Sequence, residues 1–305
     1  MKKIYFIAII ALTALADVQA QQDPHYTQYM YNMSVINPAY AGSKENLSGG
    51  FLYRKQWVEI EDAPTTGTFF AHSPVGKNVG LGLSVISDKI GPVEETNFYA
   101  DFSYTLNLGG EHRMAFGLKG GATMHKVDFT NIIPTLPDPG DEAWGSNPNK
   151  TFLNIGSGVF YYTNKYYLAF SVPNMLKSKY LDFNGAQYGT EVLHYFFTGG
   201  YVFDLNPKLK FKPFAMVKSA FNAPTSLDLS TNFMFNDKLE LGATYRLEDS
   251  FGAMVNFAIT PNLRIGYAYD RVVSDLKVVS PASHEFMLLF DLDFPKKVSQ
   301  SPRYF

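Results

Sequence analysis

Glu95-Thr96-Asn97-Phe98-Tyr99-Ala100-Asp101-Phe102-Ser103-Tyr104-Thr105-Leu106 is the stretch on which the reading of the fold turns. Phe98, Ala100, Phe102, Tyr104 and Leu106 fall on one parity, while Asn97, Asp101, Ser103 and Thr105 fall on the other. Successive side chains of an extended chain point to opposite faces, so this is a strand with one apolar and one polar face. The next segment repeats it: Met114, Phe116, Leu118 and Ala122 alternate with Arg113, Gly117, Lys119 and Thr123. The pattern recurs in Phe251–Ile259, Leu263–Asp270 and Glu285–Phe294, and about fourteen such strands are predicted between residues 47 and 294.

Alternation alone fits a soluble sandwich as well as a membrane barrel. The connections separate the two. Short turns are predicted at Pro74–Lys77, Leu108–Gly110, Thr163–Lys165, Leu205–Pro207, Asn236–Lys238 and Thr260–Asn262. Mostly longer connections alternate with them, the longest at Val127–Lys150, Pro173–Thr190 and Arg271–Ser283. Short turns on one side and long loops on the other are the asymmetry of outer-membrane barrels, and an even strand number returns both strand ends to the periplasmic side. Both chain termini are therefore expected in the periplasm. Aromatic residues make up 16% of the chain and charged residues only 18%, a balance that suits a lipid-facing wall better than a soluble surface. The clusters Phe160-Tyr161-Tyr162, Tyr166-Tyr167 and Phe233/Phe235 beside short turns are read as an interfacial girdle.

The chain begins Met1-Lys2-Lys3, continues with an apolar run to Ala16, and reads Val18-Gln19-Ala20 before Gln21. This is the layout of a cleaved secretory signal, residues 1–20. With no cysteine there is no disulfide or thiolate metal site. A net charge of −2 gives no basic surface for nucleic acid. Three further parts follow: a non-alternating segment 21–46, the barrel 47–294, and a polar basic tail 295–305. Tyr26, Tyr29, Met30 and Met33 have the spacing of a short amphipathic helix, which Asn37-Pro38 ends and Gly42 turns. Two readings stay open for this segment: an arm or plug packed on the barrel, or a docking element for a periplasmic partner. The assembly signal of the last strand falls on either Phe294 or Phe305.

The chemistry that could reside here is thin. His25, His72, His112, His125, His194 and His284 are scattered, without metal-ligand spacing. A Ser–His pair such as Ser84 or Ser157 with His194 has no sequence warrant, and no cofactor is implied. The loop Leu136–Glu142, with Asn147 and Asn149, offers oxygen ligands for calcium but equally ordinary turn chemistry. Trp57 reads as an interface anchor, and Trp144 as loop packing or a partner contact. Asp101, Arg113, Lys119, Asn154, Asp228, Glu240, Arg246, Asn256, Arg264, Asp270 and Glu285 are predicted to face inward. Their mixed signs favour pairing across an occluded lumen over an open pore.

Four segments carry a family resemblance. They are Gln22-Asp23-Pro24-His25-Tyr26-Thr27-Gln28-Tyr29-Met30-Tyr31-Asn32 with Ile36–Gly42, Tyr53-Arg54-Lys55-Gln56-Trp57-Val58, Val79–Gly82 through Ser87–Pro92, and Arg264–Asp270. In this order the chain resembles the PorP/SprF outer-membrane proteins of the Bacteroidetes. The resemblance implies a non-enzymatic accessory of type IX secretion, working with the periplasmic ring of the machine and with a secreted adhesin-like cargo, in some members for gliding motility. A small-solute or hydrophobic-compound channel is the alternative. The resemblance marks Gln22, Asp23, Pro24, Tyr26, Gln28, Tyr29, Met30, Asn32, Asn37, Pro38, Ala39, Gly42, Arg54, Gln56 and Trp57 as motif or docking candidates.

Overall fold

The computed structural model describes residues 26–44, 46–128, 149–176, 179–183, 186–190, 193–220, 225–273 and 282–293. Its strands are β1 (Leu47–Lys55), β2 (Thr65–Pro74), β3 (Val79–Ile90), β4 (Val93–Gly109), β5 (His112–Val127), β6 (Asn149–Tyr162), β7 (Tyr166–Val172), β8 (Lys179–Phe183) and β9 (Ala186–Thr190). They continue with β10 (His194–Tyr201), β11 (Phe203–Asn206), β12 (Leu209–Ala220), β13 (Ser226–Phe235), β14 (Leu239–Arg246), β15 (Ser250–Thr260), β16 (Leu263–Val272) and β17 (Ala282–Leu292). Among the described residues, fourteen of these close an antiparallel barrel in which each strand pairs with its chain neighbour. β1 pairs with β17 from Leu47↔Leu292 to Lys55↔His284, and β10 pairs with β7 past the β8–β9 hairpin and with β12 past β11. β11 carries the line of β10 past Val202, whose N–H bonds the Lys165 carbonyl at 2.7 Å. β8 and β9 form a separate hairpin inside the connection read as the loop Pro173–Thr190.

Burial settles which face of each strand looks in. Leu153 is 74% exposed, Leu118 64% and Leu83 63%, whereas Glu240, Glu285, Lys212 and Asn256 are at 0%. A soluble sandwich hides its apolar face. This barrel hides its polar face and presents Phe98, Phe102, Phe116, Phe251 and Phe286 outward. Lipid offers nothing to a backbone N–H or C=O, and a closed barrel leaves none of its wall strands with a free edge. No helix of the described residues is long and apolar enough to cross a membrane.

The six predicted short turns lie on one rim, where β1 also begins and β17 ends. The connections on the other rim are longer, apart from Gly91-Pro92 and Leu247–Asp249. The girdle differs from the expected one. Tyr161, Tyr166, Tyr201, Phe203, Phe211 and Phe233 form a run of neighbouring rings with centroids 4.2 to 6.0 Å apart. Phe160, Tyr162 and Tyr167 are instead buried inside at 1% exposure. They stand on the inward parity and meet the chain that precedes β1.

That preceding chain, Tyr26–Lys44 in its described part, lies within the barrel. It is not the single amphipathic helix that the spacing predicts. It is three separate turns: a 3-10 turn at Tyr29–Tyr31, α1 at Met33–Ile36 and a second 3-10 turn at Pro38–Tyr40. An amphipathic helix needs a wet side, and this segment has wall all around it. Tyr29, Met30, Met33, Gln28, Asn32, Ala39 and Ala41 are each at most 1% exposed. Asn37 is extended (φ −134°, ψ 112°), as a residue before proline prefers.

The wall makes room for this segment with glycine. A Cβ on Gly80 would stand 2.1 Å from the Ala41 carbonyl oxygen, one on Gly117 2.1 Å from the Ala39 nitrogen, and one on Gly158 2.1 Å from Asn37 Oδ1. These glycines sit on the inward parity of β3, β5 and β6. Gly120 of β5 faces outward, and a Cβ there meets nothing within 4 Å. Gly117→Val should therefore lower stability by about 1–3 kcal/mol or more, the usual cost of overpacking. Gly120→Ala should stay within about 0.5 kcal/mol of the parent. Heat-modifiable gel mobility read against temperature checks both, and equal midpoints for the two variants would remove the seating role of Gly117.

Candidate functional site

The filled lumen is the place where charge, burial and motif residues converge. Its first cluster lies near the long-loop rim. Arg54 is the residue before the end of β1, Asp270 stands two residues from the end of β16, and Glu285 is the fourth residue of β17. Arg54 Nη1 reaches Asp270 Oδ2 at 2.8 Å and Glu285 Oε2 at 3.3 Å, and donates to Thr27 Oγ1 at 2.7 Å. The Thr27 and Gln28 backbone N–H groups both donate to the Glu285 carboxylate at 2.9 Å. Thr27 Oγ1 also bonds Asp270. Two wall carboxylates and one guanidinium thus clamp the chain just before the Tyr29–Tyr31 turn. Charge-assisted hydrogen bonds of this kind are the strong ones.

A second cluster spans β12, β13, β14 and β16, closer to the short-turn rim. Lys212 Nζ is 3.2 Å from Glu240 Oε2, Asn232 donates to Glu240 Oε1 at 2.7 Å, and Arg264 stands 3.7 Å away. The Tyr31 hydroxyl bonds the same carboxylate, and Lys212 sits over the Tyr31 ring at 5.2 Å. The third contact is Lys119, which donates to the Val35 carbonyl at 2.9 Å and lies 3.5 Å from Asp101. Asn37 Nδ2 donates to the Val159 carbonyl at 3.0 Å, and Ser171 donates to the Ile36 carbonyl at 2.9 Å. Near the short-turn rim Gly42 N donates to His72 Nδ1 at 3.2 Å, and Lys44 pairs with Asp291 at 3.5 Å.

Of the motif candidates, Tyr26, Gln28, Tyr29, Met30, Asn32, Asn37, Pro38, Ala39 and Arg54 are buried together in this lumen, and Gly42 is half-buried at its entrance with φ +69°. Gln56 and Trp57 are half-buried beyond β1 on the long-loop side, where Trp57 N donates to Ser283 Oγ at 3.2 Å. Gln22, Asp23 and Pro24 lie outside the described residues, as do Phe294, Phe305, Trp144 and the oxygen-rich loop. As placed, the buried candidates touch the barrel wall, and an outside partner reaches none of them unless the segment leaves.

Nine of the eleven residues predicted to face inward are buried: Asp101, Lys119, Asn154, Asp228, Glu240, Arg246, Asn256, Asp270 and Glu285. Arg113 and Arg264 are partly exposed. Arg246 makes a two-pronged pair with Asp228, at 2.9 and 3.0 Å. Lys212 was missed because Phe214 and Met216 share its parity, so both faces of β12 read as apolar. Ser84 Oγ has no hydrogen-bond partner among the described residues, so the Ser84–His194 pairing is not made.

Removing one member of a fully buried ion pair leaves a bare charge, at a cost of about 3–5 kcal/mol. Arg54→Ala, which exposes Glu285 and Asp270 to each other, and Lys212→Ala should each cost about that much. Arg54→Met combined with Glu285→Gln should cost less than the sum of its two single changes. Urea unfolding in lipid vesicles measures all of these, and additive costs would show that Arg54 and Glu285 do not act as a pair.

Comparison with known proteins agrees with this architecture. Among solved structures, the CymD monoaromatic hydrocarbon channel aligns at TM-score 0.52 and 10% identity, covering 86% of this chain and 92% of that one. The Acinetobacter baumannii outer membrane protein Omp33 aligns at 0.47 and 12%, covering 82% and 100%. A Pseudomonas aeruginosa FadL homologue aligns at 0.46 and 12%, covering 86% and 94%. At these identities the first shows a shared fold and no more. No curated protein matches the chain. The family model described as type IX secretion system membrane protein PorP/SprF matches residues 18–290, nearly the whole length, and the chain belongs to that family of outer-membrane barrels.

Proposed function

We propose that this barrel is a non-enzymatic accessory of type IX secretion that works by holding partners and not by conducting solute. Family membership supports the secretion role. The observation that carries the second half is the filled lumen, in which Tyr26–Lys44 is bonded to the wall from β1 to β17. On this reading the segment is a plug, and its motif residues serve the barrel interior. Contacts with the periplasmic ring of the machine fall to the short turns and the polar tail 295–305. Contacts with a large adhesin-like cargo, for secretion, surface attachment or gliding, fall to the long-loop side, where Gln56 and Trp57 lie. The signal at residues 1–20 would be removed on export.

Tagged protein extracted in mild detergent from its native envelope, analysed by mass spectrometry, tests the role. Secretion-ring components or a very large secreted protein should co-purify. Recovery of the barrel alone, together with steady conductance in planar bilayers, would move the assignment to a small-solute or hydrophobic-compound channel. In the same bilayers the intact chain should give no steady open state, and deletion of residues 21–44 should open one.

A further inference from the structure

The outer face of the wall is not uniform. On β4 the residues Phe98, Ala100, Phe102, Tyr104, Leu106 and Leu108 all point outward. From Phe98 to Leu108 is about 34 Å of strand, or about 25 Å of height once the strand is tilted, which is the apolar band of an outer-membrane barrel. Strand register carries the top of that band across to Val85, Phe69 and Phe51. One step nearer the long-loop rim the outward row reads Thr96, Ser87, Gly67 and Tyr53. Here the wall is cut away. Gly67 has no side chain, and a Cβ on it would meet nothing within 4 Å. Around it lies a groove of about 450 Å³, walled by Tyr53 and Phe286 on one side and Ser87 on the other, with Phe51, Phe69 and Leu288 below.

Charge stands directly above this groove. Lys55 pairs with Thr65 and Thr65 with Lys89, so the two lysines flank one threonine on the outward parity, one step beyond Gly67. Both are exposed, and neither makes an ion pair among the described residues. Two strand spacings, about 10 Å, separate their backbones, and flexible four-carbon stems let both ammonium groups converge on one anion over Thr65. Glu94 stands on the far side of Lys89, and His284, beside Lys55, is taken up by the Tyr267 hydroxyl at 2.7 Å. We propose that this face is a binding site for a phosphorylated lipid of the outer leaflet, with an acyl chain in the Gly67 groove and its phosphate between Lys55 and Lys89. Apolar groove and paired cations lie in the order that such a lipid presents its own parts, chain toward the bilayer centre and phosphate toward the surface. Lysine is a point-charge partner for phosphate, and its bond to that group is charge-assisted. The proposal rests on the membrane face of the barrel and not on the secretion role.

Native mass spectrometry of the barrel in mild detergent, equilibrated with diphosphorylated lipid A, tests this. The intact protein should hold the lipid one to one, and excess inorganic phosphate should not displace it. Lys55→Gln combined with Lys89→Gln should weaken retention about tenfold or more, as loss of charge-assisted hydrogen bonds implies. Gly67→Leu, which fills the groove and keeps both lysines, should weaken it to a similar extent. Lys208→Gln, on the opposite rim, should retain lipid as the parent does. All of these positions face outward or lie in a turn, and heat-modifiable gel mobility verifies that each variant is folded. Parent-like retention by the lysine pair or by Gly67→Leu overturns the proposal. So does displacement by inorganic phosphate, or an equal loss in Lys208→Gln.

Discussion

Hydrocarbon gives a backbone N–H or C=O nothing to bond, and every other feature of this chain follows from how that constraint is met. Closing fourteen strands satisfies the ladder and turns one parity of each strand toward lipid. The other parity then surrounds a lumen wider than side chains of small barrels can fill. Water could occupy it, as in porins. Here Tyr26–Lys44 lies in it, and the inward face is shaped for that guest. Glycines lie where the guest's backbone passes, carboxylates where its N–H groups point, and Lys119 where a carbonyl points.

The guest explains why the lumen carries so many buried charges. A carboxylate moved out of water must be paired or hydrogen-bonded to remain charged. Glu285 meets Arg54 and two backbone N–H groups of the segment, while Glu240 meets Lys212, Asn232 and Tyr31. In both clusters the segment supplies part of the coordination, so wall charges and guest depend on one another. Withdrawing Tyr26–Lys44 would strand these groups as well as open a path.

The readable strands were those whose inward side chains are polar or small. β4, β5, β15, β16 and β17 alternate cleanly, and nine of eleven inward residues named from them and their neighbours are buried. Reading blurred where the wall meets the guest's apolar side chains. Phe160 and Tyr162 on β6, Tyr167 on β7, and Phe214 and Met216 on β12 face inward, so both faces of those strands look apolar. A purely interfacial reading of the Phe160–Tyr162 and Tyr166-Tyr167 clusters therefore misplaced three of their five rings. The inward glycines were a usable signal, because Gly80, Gly117 and Gly158 sit on the parity that elsewhere carries polar side chains. The winding path of Tyr26–Lys44 was beyond reach, since it is set by contacts with strands more than two hundred residues away, such as Glu285 and Glu240.

Position in the chain also decides how such a guest can be housed. A segment that precedes β1 does not have to be threaded through a finished barrel. It can lie along the inward faces while the sheet from β1 to β17 is still open, and be enclosed when Leu47–Lys55 meets His284–Leu292. The clamp on Thr27 and Gln28 is built from Arg54 of β1, Asp270 of β16 and Glu285 of β17, strands on both sides of that seam. The Arg54–Glu285 pair and the full set of bonds on Thr27 thus require the first and last strands to be neighbours. The segment is therefore as much a part of the barrel's closure as it is a filling for its lumen.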